Sequence, residues 1–399
     1  MKKIFILAAA AATLFSFASC KKDAGVKEAP EAAAQAVKLT VGIVGSQTKA
    51  TGIDDSNYPA TEAKVNNLQV LIFKDNGLTL DGYATVTADP SASPAVDAKS
   101  VTVDCTAGER KIYAVVNAPS LAAIAKESDL LSTVSVLANE ISNFKMIGNV
   151  SATLKQDSAI NIDVKRLASR IVLKSVKNSL PNATQAASFY IKGVYLTNVA
   201  ADVDLGLSAS YSIANWYNKR GFQSANNLGN FTFDDIARVK VESGASYSVQ
   251  HNLYAYPNAA TDRDCKYAAL GASDADRAAA YEALGADAAA REAALLELPL
   301  PTTWSPRSSR LVVKAEIDGE DYVYPIQLPV LQSNKSYEIN ILELTRLGNK
   351  SDGNEPTDGE TSEEEDDVKS IQQAFQITVL DWDVVLVNSE GETGGHFVI

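Results

Sequence analysis

The sequence predicts an all-β protein: two β-sandwich domains in tandem, a small helical insertion, and a C-terminal strand segment set apart by a linker. Three observations predict it. Short apolar–polar alternations recur along the chain, turn residues separate them, and helices do not alternate with them as they do around a parallel sheet. With 399 residues and 46 % hydrophobic content, the chain can fill two cores of ordinary domain size.

The first element is a leader. Lys2 and Lys3 give a positive start, residues 4–17 give an apolar run, and Phe17-Ala18-Ser19-Cys20 closes it with small residues before a cysteine. The run is too short to cross a membrane and stay, so it reads as a lipoprotein signal peptide over residues 1–19 rather than a span. The plainer alternative is an ordinary secreted protein with a chance cysteine. Cleavage before Cys20 frees its α-amine, and acylation, with palmitate or a similar chain, then tethers the protein to a lipid surface.

The body is expected to be exported. Its net charge of −13 argues against nucleic acid, which rewards a basic surface. Besides Cys20 there are only Cys105 and Cys265, too few for a disulfide framework and best read as small buried apolar residues.

A Lys/Glu/Ala tract to about residue 36 reads as a tether. Val37, Leu39, Val41 and Ile43 then alternate with Lys38, Thr40 and Gly42, the period of a half-buried strand. An exposed loop over residues 45–52 follows and contains Lys49 and Ala50. Further strands are expected over residues 68–73, 83–87, 100–104 and 111–116, each closed by turn residues such as Asp75-Asn76-Gly77 and Asn117-Ala118-Pro119. Residues 121–140 are expected to form the one helical stretch of this half. Strands near 145–154 and 160–165 complete it.

A second set of strands is expected over residues 171–176, 189–198, 246–256, 311–317, 321–328 and 335–344. Between them, residues 274–298 are rich in Ala, Glu, Leu and Arg, and Ser273 and Asp276 are spaced as a capping box. A helix is predicted there, broken or kinked at Gly285. Residues 350–371 lose hydrophobic periodicity and carry many like charges, as an extended acidic linker does. Their spacing matches no calcium loop. In the last segment, 372–399, Phe375, Ile377 and Val379 alternate on one face. Leu380, Trp382, Val384 and Leu386 follow with the phase shifted by one, which places a bulge or break near Leu380-Asp381. Phe397 and Ile399 end the chain in an apolar strand fragment.

Several segments in order resemble the major fimbrial subunits (fimbrillins, or type V pilins) of bacteroidal bacteria. They are the leader ending at Cys20, the loop Thr48-Lys49-Ala50, and Asn67-Leu68-Gln69-Val70-Leu71-Ile72-Phe73. Cys105-Thr106-Ala107-Gly108-Glu109-Arg110 and Val164-Lys165-Arg166-Leu167-Ala168-Ser169-Arg170 follow. Asn334-Lys335-Ser336-Tyr337-Glu338-Ile339-Asn340 and Val379-Leu380-Asp381-Trp382-Asp383-Val384-Val385 complete the set.

The resemblance implies two transthyretin-like sandwiches, with domains at 50–168 and 169–349 after a lipidated propeptide at 20–49. It also implies polymerisation by strand exchange. A surface protease cuts after the first strand, removing Val37, Leu39, Val41 and Ile43. The vacated groove takes a C-terminal strand of a neighbouring copy, carried by Phe375, Ile377, Val379, Leu380, Trp382, Val384, Leu386, Phe397 and Ile399. The best-known members are cut after arginine, but this chain has none before Arg110. Lys49 is the first basic residue beyond the first strand, in the exposed loop that follows it, so the cut is expected between Lys49 and Ala50.

The function expected is that of a structural fimbrial subunit. It sits in the outer membrane as a lipidated precursor and in an extracellular fimbria after processing, with copies of itself or related subunits and a processing protease as partners. The alternatives are a tip or accessory adhesin, or a monomeric glycan-binding surface lipoprotein. An enzyme is not expected. His251 and His396 are the only histidines and lack a zinc spacing, and no nucleophile elbow or phosphate loop is present. No cofactor and no metal site are expected. The acidic pair Asp234-Asp235 reads as a solvated face, and Trp216-Tyr217 as core or edge packing rather than a sugar platform.

Overall fold

The computed structural model describes residues 35–45, 62, 64–140, 143–219, 228, 231–350 and 377–382. All but Gln35 fall within one compact unit, Ala36–Ile399. Cys20, Lys49, Ala50, the acidic linker, Phe375, Val384, Leu386, Phe397 and Ile399 lie outside the described residues.

The expectation of an all-β sandwich fold holds. The first half contributes β1 (Ala36–Gly45), β2 (Asn67–Lys74), β3 (Leu80–Thr87), β4 (Ser100–Thr106), β5 (Gly108–Val116), β6 (Val134–Val136), β7 (Met146–Leu154) and β8 (Ser158–Arg166). Seven of these form a sheet in the order β3-β2-β5-β7-β8-β1-β4. It doubles over where Met146 and Ile147 of β7 pair with Arg166 and Lys165 of β8. One layer is then β3-β2-β5-β7 and the other β8-β1-β4, and their inner side chains fill one core.

β2 and β5 are buried on both faces, so alternation sends their side chains to two different cores. Leu68, Val70, Ile72, Ile112, Ala114 and Val116 point into the first sandwich. Leu71, Phe73, Tyr113 and Val115 point the other way, into a second core shared with the rest of the chain.

That second core is built by β9 (Ser169–Leu173), β10 (Val176–Asn178), β11 (Tyr190–Thr197), β12 (Val199–Ala200), β13 (Asp202–Asp204), β14 (Trp216–Tyr217), β15 (Phe233–Lys240) and β16 (Ser246–Tyr247). The set continues with β17 (His251–Ala255), β18 (Arg310–Ile317), β19 (Glu320–Gln327), β20 (Lys335–Ile339), β21 (Leu342–Leu344), β22 (Asn349–Lys350) and β23 (Ile377–Asp381). The two larger sheets run β15-β11-β18-β19-β22 and β17-β9-β20-β23.

Some expectations need correction. Residues 121–140 are not a helix. Only α1 (Glu127–Leu131) forms, followed by β6 and a 3₁₀ turn at Leu137–Glu140. Thr133, Val134 and Val136 are β-branched and favour extended backbone, and Val134–Val136 pairs antiparallel with Asp204, Val203 and Asp202 of β13. The segments 171–176, 246–256 and 335–344 are each two short strands rather than one. β15 carries no clear apolar alternation, since only Ile236 of its residues is buried. It is an edge strand and was not expected from the pattern.

The helical insertion forms as expected and is longer. α2 (Ala183–Ala187) lies earlier in the chain; α3 (Asp262–Ala268) precedes α4 (Asp274–Glu282) and α5 (Ala288–Glu297). Ser273 and Asp276 close the capping box of α4. Gly285 separates α4 from α5 where the chain turns tightly: a Cβ there would lie 2.9 Å from Ala290 Cβ. Cys105 and Cys265 are both buried and unbridged. Among the described residues no helix is long and apolar enough to cross a membrane.

Candidate functional site

β1 is an inserted strand. It lies antiparallel to β4, from Ala36 opposite Thr106 to Gly42 opposite Ser100. On its other edge it lies parallel to β8, from Leu39 opposite Ser158 to Gly45 opposite Val164. Alternation turns Val37, Leu39, Val41 and Ile43 inward, where they are 3, 0, 0 and 6 % exposed. They meet Val103 and Cys105 from β4, Ile162 and Val164 from β8, and the inner side chains of the opposite layer. These are the four side chains that the alternation placed on one face, and the structure brings all four together.

The outward side chains of β1 are held lightly. Lys38 Nζ lies 2.9 Å from Asp104 Oδ1, and Thr40 and Thr102 share a 3.0 Å hydroxyl hydrogen bond. The Lys38 backbone N–H donates to Asp157 Oδ1 at 2.8 Å. These groups are exposed and screened by water, so the buried apolar stripe and the two ladders carry the attachment.

The C-terminal segment occupies two situations. Ile377–Asp381 is β23, the edge strand of β17-β9-β20-β23, running antiparallel to β20 from Ile377 opposite Ile339 to Asp381 opposite Lys335. The strand stops at Asp381, where a break was expected. Ile377 and Leu380 are half-buried, and Lys335 and Asp381 form an ion pair. Trp382 then turns into the second core and is 1 % exposed. Of the expected donor residues, Ile377, Val379, Leu380 and Trp382 therefore lie within this chain's own fold.

Trp382 is anchored by a polar knot that the sequence did not indicate. Its indole N–H donates to Glu62 Oε2 at 3.1 Å, its backbone N–H donates to the Asn334 carbonyl at 2.9 Å, and its carbonyl accepts from Arg166. The Arg166 and Arg170 guanidinium carbons stand 4.4 and 5.1 Å from the ring centroid, within cation–π range. Phe144 meets the ring edge-on at 5.3 Å and Tyr254 stacks at 5.8 Å.

Glu62 binds the other partners. Its carboxylate accepts from Arg170 Nη1 at 2.7 Å and from the Tyr254 hydroxyl at 2.6 Å, and its carbonyl accepts from Arg166 Nη2 at 2.7 Å. Burial and then the facing Glu62 carboxylate hold the Tyr254 phenol far above its ordinary range, so it stays a donor. The knot ties the segment ahead of β2 to the β8–β9 junction and to the root of the C-terminal tail. Arg166 and Arg170 stand in a junction motif legible in the sequence. Glu62 sits in a polar stretch without periodicity, so nothing marked it.

His251 is tied between Asp234 Oδ2 at 2.9 Å and the Tyr247 hydroxyl at 3.2 Å. Asp234 is thus a partner to histidine rather than part of a solvated pair. Trp216 is buried and meets Trp304 edge-on at 5.5 Å, as core packing does. Among the described residues no cluster of His, Cys, Asp or Glu could hold a metal ion.

The chain is thus an all-β sandwich whose first strand lies between one antiparallel and one parallel neighbour, with its C-terminal strand β23 at the edge of a separate sheet. Residues 36–185 match the model of the family described as major fimbrial subunit protein (FimA). Solved structures share the fold. A proposed cell adhesion protein from Parabacteroides distasonis matches with a TM-score of 0.54 at 15 % identity, over 87 % of this chain and 96 % of that one. A second, from Bacteroides eggerthii, gives 0.53 at 15 % identity over 88 % and 97 %. A fimbrilin from Porphyromonas gingivalis gives 0.50 at 15 % identity over 88 % and 99 %. No curated protein matches the sequence.

Proposed function

We propose that this chain is a structural subunit of an adhesive surface fimbria. In this scheme it is exported as a precursor lipidated at Cys20, cut between Lys49 and Ala50, and polymerised by strand exchange between copies or with related subunits. One observation carries the proposal: β1 is a discrete plug between β4 and β8, and it directly precedes the segment that contains Lys49. Removing it exposes unpaired backbone on both sides and a slot shaped for four apolar side chains, the setting in which an added strand binds well. At about 1.5–3 kcal/mol per large side chain, refilling the slot is worth roughly 6–12 kcal/mol before ordering costs.

The donor is the tail of a neighbouring copy. β23 and Trp382 fix its root, so the strand that leaves is the 17 residues after Trp382, with Val384, Leu386, Phe397 and Ile399 as its apolar anchors. Fully extended, this tail reaches about 55 Å, longer than the ten residues of β1 require. Ile377, Val379 and Leu380, in β23, then belong to the root instead of filling the slot.

The test uses two variants expressed in cells. Deleting residues 383–399 leaves the Trp382 anchor intact and should give a secreted, folded subunit that forms no SDS-resistant ladder. Lys49→Ala should give a lipidated monomer, and N-terminal sequencing of wild-type fibres should begin at Ala50. Ladders persisting in both variants would overturn strand exchange and favour a monomeric binding lipoprotein.

A further inference from the structure

Among the described residues β4 has a single ladder partner, because it ends the sheet order and touches only β1 there. Taking β1 away leaves β4 with no main-chain ladder. β8 keeps its pairs with β7; β4 keeps none. A slot needs both walls, so something other than a ladder has to hold β4.

The holding contacts come from β3 and the β4–β5 turn. Asp81 Oδ2 accepts from the Thr106 backbone N–H and Asp81 Oδ1 from the Thr106 hydroxyl, each at 2.8 Å. Arg110 Nε donates to Asp81 Oδ2 at 2.7 Å, and its Nη groups donate to the carbonyls of Ala107 at 2.9 Å and Glu109 at 2.7 Å. Both charged side chains are 7 % exposed. Beside Asp81, Gly82 lets the β4 backbone come close: a Cβ there would stand 2.7 Å from the Asp104 carbonyl oxygen. Gly108 takes a φ of +129°, and a Cβ on it would lie 2.8 Å from Arg110 Nη1, so the turn is shaped around the guanidinium. None of these contacts involves β1.

We propose that Asp81, Thr106 and Arg110 are positioning residues that keep β4 in place as the free-standing wall of the slot once β1 has left, so that the slot stays open for an incoming strand. The inference rests on the strand-exchange assignment above and adds the residues that preserve its site. In the uncut chain the β1 ladder holds β4 as well, and the staple is partly redundant. In the cut chain the ladder is gone, and the staple holds β4 together with the core packing of Val103 and Cys105.

The experiment compares full-length chains before and after cleavage at Lys49, for wild type, Asp81→Asn and the milder Thr106→Val. Amide hydrogen exchange of residues 100–106 and binding of a synthetic peptide with the sequence of β1 are the readouts. Before cleavage all three should protect β4. After cleavage, wild type should keep the Thr106 amide slow and take the peptide, whereas both variants should exchange throughout β4 and bind it about tenfold or more weakly. Cut variants that bind like wild type would overturn the staple alone, as would equal loss of β4 protection before and after cleavage. A cut wild-type chain that retains β1 or refuses the peptide would overturn the slot assignment, and the staple's role with it.

Discussion

Glu62 and Trp382 meet in the interior although 320 positions separate them: the indole N–H donates to the carboxylate at 3.1 Å. Trp382 also fills the space between Phe144 and Tyr254. Trp382→Ala should therefore cost about 3–5 kcal/mol, the usual price of an emptied aromatic site. Trp382→Phe should cost less, about 1–2 kcal/mol, through the lost donor and smaller ring. Urea unfolding with an unchanged m-value checks both.

Glu62→Gln removes a buried negative charge that faces Arg170 at 2.7 Å. Glu338, at 3.9 Å from Arg170, is a more distant carboxylate. Breaking one partner of a buried pair is more damaging than replacing both, so a loss of about 3 kcal/mol is expected. A double-mutant cycle of Glu62→Gln with Trp382→Phe should show non-additivity of about 0.5 kcal/mol or more, because the two share a hydrogen bond.

Stability should depend on pH through a second buried group. Burial pushes the Glu140 carboxyl from 4.5 up to about 7, against the opposing pull of Lys145 and the Tyr256 hydroxyl. A carboxyl that keeps its proton more tightly in the folded chain weakens the fold as pH climbs from about 4.5 to about 7. Glu140→Gln should flatten that decline in the thermal midpoint. Asp81 works in the opposite sense and at lower pH. Burial alone would raise its pKa, but hydrogen bonds from Thr106 and Arg110 outweigh this and lower it below 3.8, so its contribution is present above that value and lost on further acidification.

Within β1 the two faces should respond differently. Leu39 is fully buried, and Leu39→Ala should cost the uncut chain about 2–5 kcal/mol. A Cβ on Gly42 meets only the tip of the Asn161 side chain within 3.5 Å, which is exposed and free to swing away. Gly42→Ala should therefore change stability by less than about 0.5 kcal/mol. Thermal unfolding of the two variants compares them directly.

The strands that alternate strongly were legible because one face of each is buried. Val37, Leu39, Val41 and Ile43 announce β1, and the apolar residues of 68–73 announce β2, whose central residues are all buried. Residues 121–140 misled because Leu121, Ile124, Leu130 and Leu137 mimic a helical spacing, while the pairing of Val134–Val136 with β13 is set by residues some seventy positions away. β15 was silent because an edge strand with mostly exposed side chains needs no apolar period. Of the site, the plug could be read and the tail's anchor could not. Glu62 acquires its role only when Arg166, Arg170, Tyr254 and Trp382 converge on it, and such convergence leaves no local spacing. The sequence also placed donation from Phe375 onward, whereas Trp382 is buried in this chain's own core, which is why the proposed donor begins after it.

β1 runs with one flanking strand and against the other. Parallel and antiparallel ladders space and slant their bonds differently, so a peptide threaded backwards would mismatch on both sides at once. Under the proposed exchange the opening would be vectorial, favouring a chain that travels in the sense of β1. Molecules joined that way would share a single heading, and the row they form would have two chemically distinct ends.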